Sequence, residues 1–202
     1  MYAIVTDNEI TKFINHPKSL VIGDVRYPAK IFSVWSASEL NAIGIYEVVF
    51  DNSNKKDEKW YINTNQSFDF DGNEVTASYG TATPKAHADT LFTAQDETDG
   101  LGTEGEVATR GLKYNLIKNL KITVANILAE TDWYITRNTE KSTAIPSAIS
   151  THRDAVRTKQ AEMETAITNA SDTPALETLY TYTTNSDGVQ SRPLGELPTL
   201  ES

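Results

Sequence analysis

Leu112-Lys113-Tyr114-Asn115-Leu116-Ile117-Lys118-Asn119-Leu120-Lys121-Ile122-Thr123-Val124-Ala125-Asn126-Ile127-Leu128-Ala129-Glu130-Thr131-Asp132-Trp133 is the stretch whose periodicity decides how the second half of this chain folds. Leu112, Leu116, Ile117, Leu120, Val124, Ile127 and Leu128 recur at three- and four-residue intervals, the spacing that puts side chains on one helical face. Lys113, Lys118 and Lys121 lie off that stripe, so a helix over 112–130 is expected. Thr131-Asp132-Trp133-Tyr134 breaks the pattern, and Thr131 or Asp132 is read as the stop. Downstream, Pro146 suits the first turn of a second helix reaching about Ala170. There Ile149, Val156, Met163 and Ala170 recur every seven residues. The seam positions between them hold His152 or Arg153, then Lys159 or Gln160, which disfavours a sustained coiled coil. An antiparallel helical hairpin is the expected outcome. Ser171-Asp172-Thr173-Pro174 is a second stop, and Ala175 to Tyr180 reads as one more turn.

Upstream of the helices the period changes. Tyr2 to Thr6 is rich in β-formers, with Asp7-Asn8 as a turn and Glu9 to Ile14 as its return strand. Ser19 to Ile22 and Val25 to Tyr27 are short apolar runs around Gly23-Asp24. At Trp35-Ser36-Ala37-Ser38-Glu39-Leu40, Ser36 and Glu39 have capping-box spacing, while Trp35 and Leu40 have that of a hydrophobic staple. A short helix ending near Gly44 is expected, then a strand from Ile45 to Phe50. Trp60 to Asn63, Ser67 to Phe70 and Glu74 to Tyr79 read as an antiparallel meander, with Asp71-Gly72 as a hairpin turn.

The fold class expected is thus α+β: a small, mainly antiparallel N-terminal β domain with one short helix over 1–83, then the helical hairpin over 112–180. Between them, 84–111 carries Asp89, Asp96, Glu97, Asp99, Glu104 and Glu106 among glycines and reads as a linker or exposed loop. An extended tail, with Pro193 and Pro198, is expected over 181–202.

Composition narrows the function classes. The apolar fraction of 39% is below the 45–50% usual for globular chains, so a modest core is expected. A net charge of -10 opposes binding along a nucleic-acid backbone, and no nucleic-acid or membrane partner is expected. With no cysteine, disulfides, thiolate catalysis and cysteine zinc sites are excluded. No apolar run approaches the roughly 18 residues that span a bilayer. The first residues lack the basic flank of a signal peptide and read as a strand.

Several patterns invite chemistry and have plainer readings. Gly100-Leu101-Gly102-Thr103-Glu104-Gly105 matches a dinucleotide fingerprint, but no buried strand precedes it and its acids would repel a pyrophosphate. Asp69, Asp71, Asn73 and Glu74 are oxygen-rich, yet the glycine falls fourth where a calcium loop needs it sixth, so a hairpin is favoured. His16, His87 and His152 form no ligand spacing, and no nucleophile-elbow pattern accompanies them. No catalytic residue, metal or cofactor is expected. Arg137, Lys141, Arg153, Arg157 and Lys159 make the helical region locally basic. That is either a solvated face with weak ion pairs or a docking face for an acidic partner, this chain's own acidic loop included.

Two stretches carry a resemblance. Asn126-Ile127-Leu128-Ala129-Glu130-Thr131-Asp132-Trp133 resembles the "R-x-x-L-L-A-E-T-D-W" segment of phage tail assembly chaperones and tail-fibre assembly proteins. In those, a helix ends in Asp-Trp and an irregular loop leads to a second helix, where Thr151-His152-Arg153-Asp154-Ala155-Val156-Arg157 stands here. Tyr27-Pro28-Ala29-Lys30-Ile31-Phe32 through Ile43-Gly44-Ile45 is similar to the N-terminal region of many marine-phage tail proteins, with a "Y-P-x-x-I-F" strand before a short helix. This chain departs from the pattern in continuing past its second helix without a Trp. The resemblance implies a non-enzymatic structural or adaptor protein of a tailed phage, located in the virion tail and made in the host cytoplasm. Its implied partners are tail, baseplate or fibre proteins, and a homo-oligomer is compatible with it. A transient assembly chaperone is the alternative, and a fibre-associated hydrolase would need paired carboxylates that the sequence does not space correctly. On this reading Trp35, Leu40, Leu128, Asp132, Trp133, Arg153 and Arg157 are the structural and interaction residues, with Trp133 folded back onto Ile127 and Leu128.

Overall fold

A computed structural model describes residues 1–200. The chain divides into two compact units, Met1–Thr83 and Pro84–Ser202. Strands dominate the first and helices the second, so the protein is α+β with an N-terminal sheet and C-terminal helices.

In the first unit the order is β1 (Tyr2–Thr6), β2 (Glu9–Ile14), β3 (Leu20–Ile22), β4 (Val25–Tyr27), α1 (Ile31–Val34), α2 (Ala37–Asn41), β5 (Ile45–Asp51), β6 (Tyr61–Ile62), β7 (Ser67–Phe70) and β8 (Val75–Ser78). A dipeptide strand, β9 (Thr83–Pro84), spans the unit boundary. Five strands form one sheet in the order β2-β1-β5-β8-β7. All its pairings are antiparallel except β5 with β8, which is parallel. The sheet curls until its two edges meet, with the rings of Phe13 and Phe68 4.4 Å apart.

Alternation along the strands feeds two cores. Ala3, Val48, Val75 and Ala77 point inside the curl, joined by Tyr46, Phe68 and Phe70. The opposite face of β1 and β5 sends Tyr2 and Ile45 toward Ile31, Leu40 and Trp35. Period-two alternation sorts side chains onto the two faces in this way. The capping box at Ser36 and Glu39 is present, with Ser36 N–H donating to Glu39 Oε2 at 2.7 Å. That bond holds the Glu39 carboxyl below its ordinary range.

The second unit runs β10 (Thr90–Leu91), α3 (Ala94–Thr98), β11 (Val107–Thr109), α4 (Leu112–Ala129), α5 (Asp132–Lys141), α6 (Ser147–Asn169), α7 (Thr173–Tyr180), β12 (Thr183–Thr184) and β13 (Gln190–Ser191). Lys113, at the start of α4, donates to the Thr168 carbonyl at the end of α6, and Arg153, near the start of α6, reaches Leu128 at the end of α4. The two long helices therefore run in opposite directions. Ile149, Val156, Met163 and Ala170 are all buried, and so are His152 and Arg153. No helix among the described residues is long and apolar enough to cross a membrane.

Several expectations need correction. Residues 84–111 are not a plain linker or loop: they hold the β10–β11 ladder and α3, and Ala86 and His87 accept from the first amides of α4. The glycines and acids masked a capping box at Thr93 and Asp96. The meander is absent, because β6 stands outside the five-stranded sheet and β8 finds its second partner in β5. Ile31 and Phe32, which close the Tyr27–Phe32 stretch that the resemblance implies to be a strand, instead open a single helical turn, Ile31–Val34, following Pro28. The break at Thr131 is a corner, after which α5 starts at once. Within the tail, β12 pairs with β13 and Leu194 is buried, its amide bonded to the Leu179 carbonyl. Its last two positions, 201 and 202, lie outside the described residues.

Gly44 is the most closely approached glycine of the first unit. Its φ is +79°, and a Cβ there would sit 2.6 Å from the Val5 carbonyl oxygen, while Val5 N–H donates to the Gly44 carbonyl at 2.8 Å. Replacing such a glycine adds both strain and a clash. Gly44→Ala is expected to destabilise the protein by more than about 1 kcal/mol, measured by urea unfolding. An unchanged midpoint would refute the tight α2–β5 corner.

Candidate interaction site at the α4–α5 corner

Four of the residues singled out in the sequence converge where α4 meets α5. The helices are separated by Glu130, the C-cap of α4, and Thr131, a buried residue. A helix end leaves its last carbonyls without intrahelical donors. Here the Leu128 carbonyl accepts from Thr131 N–H and Thr131 Oγ1, both at 3.1 Å, and from Arg153 Nη1 at 2.7 Å. The same Nη1 donates to Thr131 Oγ1 at 2.7 Å, while Nη2 pairs with Asp132 Oδ1 at 2.9 Å.

Charge and dipoles agree at this corner. The guanidinium meets the negative end of α4, and Asp132 lies at the positive end of α5. The Arg153 side chain is 9% exposed and that of Asp132 is 60% exposed. Solvent therefore screens the ion pair, which contributes less than about 1 kcal/mol. The bonds from a charged, buried donor to Leu128 and Thr131 are the stronger component, about 1.5–3 kcal/mol each.

Outward from the corner, Trp133 and Tyr134 stack with ring centroids 3.8 Å apart. Arg137, one turn along α5, places its guanidinium carbon 4.6 Å from the Trp133 ring centre and 5.4 Å from that of Tyr134. Residues four apart on a helix are neighbours, which makes this cation–aromatic stack local and preformed. Trp133 remains 51% exposed. It does not fold into the core as a clasp, because α5 begins at Asp132 and directs Trp133 outward. Arg153, arriving from α6, supplies the clasp.

The remaining sequence candidates sit elsewhere. Trp35 and Leu40 pack in one cluster of the first unit, where Trp35 meets Tyr27 edge-on at 5.8 Å. Arg157 pairs with Asp154 at 3.3 Å on an exposed part of α6, away from the corner. Asp71 accepts from the amides of Asn73 and Glu74 at 2.8 Å each, so its carboxylate serves the β7–β8 turn. Among the described residues, no three His, Asp or Glu side chains are grouped to hold a metal. The sequence placed Arg137 in the basic helical region and Tyr134 in the break after α4, but not their stacking with Trp133; the 133–137 spacing was the available signal once α5 was recognised.

A second surface lies along α4, where Tyr114, Ile117, Lys118, Lys121, Ile122 and Ala125 line a shallow groove. All six come from one helix, so the groove cannot enclose a small ligand as a pocket does. Comparison of the chain with protein-family models, with curated proteins and with solved structures found no match.

Arg153→Met, which removes both bonds, is expected to cost about 3 kcal/mol or more, and Asp132→Ala less than about 1 kcal/mol. Trp133→Ala is expected to change stability by no more than about 1 kcal/mol, as for an exposed cation–aromatic contact. Urea melts of the three variants check this ordering; a large loss for Trp133→Ala would mean that the indole is a core residue.

Proposed function

We propose that this chain is a non-enzymatic structural or adaptor protein that works through protein–protein contacts in the tail, baseplate or fibre-attachment region of a tailed bacteriophage. The observation that carries the reading is the exposed Trp133–Tyr134–Arg137 stack on a corner fixed from beneath by Arg153. Trp, Tyr and Arg dominate the binding energy of protein interfaces, most of all where they are held in place before the partner arrives. In this reading α4 and α6 act as a helical hairpin that carries the stack. The phage assignment itself is supported by the resemblance of Asn126 to Trp133 to the Asp-Trp segment of tail assembly proteins, the same segment that forms the corner.

Mass spectrometry of purified particles of the phage that encodes this chain tests the reading. The chain is expected among the tail proteins at a fixed stoichiometry, and Trp133→Ala with Arg137→Ala is expected to leave it folded but absent from particles. Its absence from wild-type particles would replace the adaptor with an assembly chaperone that leaves before maturation.

A further inference from the structure

One segment of the second unit is rigidly built and buries nothing. The excursion from Phe92 to Glu106 is closed at its base by Phe92 N–H donating to Glu106 O at 2.9 Å and Gly105 N–H donating to Phe92 O at 3.0 Å. Inside it, α3 has a capping box at Thr93 and Asp96. Its other end has the paired bonds of a Schellman motif, Leu101 N–H to Asp96 O at 2.8 Å and Gly100 N–H to Glu97 O at 3.1 Å, with Gly100 at φ +73°. The Phe92 ring lies where any Cβ on Gly102 would have to go. Despite this bracing, α3 has no buried residue.

The Schellman motif usually stacks its last residue on an apolar side chain of the preceding turn. Here the residues in that turn are Gln95 and Asp96, so Leu101 has nothing to cover it. It is 64% exposed, more than any other large hydrophobic residue described. Glu97, Asp99 and Glu104 surround it in sequence. The result is a fixed apolar knob on an acidic stretch of the chain.

The α4 groove is its complement. Ile122 is 51% exposed and Tyr114 41% exposed, an apolar stripe at helical spacing. Lys118 and Lys121 stand in the same groove, and α4 contains no Asp or Glu although the chain carries a net charge of -10. Lys121 is 3.5 Å from Glu164, whereas Lys118 has no ion pair among the described residues. Knob and groove belong to the same unit, yet both are exposed, so they do not cover one another within a chain.

We propose that the Leu101 knob of one copy seats in the α4 groove of a second copy. Apolar contact supplies the attraction and the opposed charges set the orientation and exclude the mismatched pairing of two knobs or two grooves. Every copy then has one knob and one groove, so the contact is head-to-tail and repeats into a closed ring or an open filament. The proposal does not depend on the adaptor reading, which uses the other exposed surface at Trp133.

Sedimentation velocity of the full chain, from micromolar to near-millimolar concentration, tests the contact. Wild type is expected to form species larger than a dimer as concentration rises, with high salt weakening the association without abolishing it. Leu101→Glu disables the knob and Ile122→Glu the groove; each side chain is exposed, and circular dichroism and a thermal melt verify folding. Each variant alone is expected to remain monomeric. Their mixture retains one working knob and one working groove, so it is expected to give a dimer that grows no further. Monomeric wild type throughout, self-association unaffected by either variant, or a mixture that stays monomeric would each overturn the proposal.

Discussion

The buried guanidinium of Arg153 is the constraint on which the helical unit depends. Two helices meet there with almost no linking chain, and the Leu128 carbonyl near the end of α4 takes a charged donor from Arg153 beside the amide and hydroxyl of Thr131. The same guanidinium donates to the Thr131 hydroxyl, and its remaining face is neutralised by Asp132 at the start of α5. Because Arg153 belongs to α6, one side chain fixes the end of α4, the direction of α5 and the register of α6. An apolar residue at that place could fill the space but could not specify the corner, since dispersion contacts have no preferred direction.

The first unit reaches order differently. Its inner core is built partly from alanines, Ala3 and Ala77, which bury little area each but let strands curl closely. The larger side chains work at the margins, where Phe13 meets Phe68 and Tyr46 meets Phe70. The parallel β5–β8 pairing requires a long crossover, and Asn52 to Glu74 supplies it.

Local signals were legible in the sequence and long-range ones were not. The Ser36–Glu39 box, the Asp71-Gly72 turn and the apolar stripes of α4 and α6 depend on residues within one or two turns of each other. The pairing of β5 with β8 depends on residues far apart, which no local spacing encodes. Arg153 shows the same limit: at a seam position it read as a defect, because its partners lie on another helix. Trp133 was misplaced for the converse reason. Its type suits a core, but its direction follows from the start of α5, whose N-cap, Thr131, makes no side-chain capping bond and read instead as a stop. Composition concealed α3, since glycines and acids are common to linkers and to well-braced turns.

A thin core and well-ordered exposed groups belong together in this molecule. Only Leu120 and Val124 are buried along the whole of α4, and α5 buries none of its residues. Apolar area left on the surface adds nothing to folding, yet Leu101, Ile122 and Trp133 are held in fixed positions by hydrogen bonds and caps that do not need their burial. Fixing a side chain before contact lowers the entropy lost on binding. The arrangement thus leaves apolar area outside the fold, and it is this area that the two proposals assign to association, at Trp133 and at the knob–groove pair.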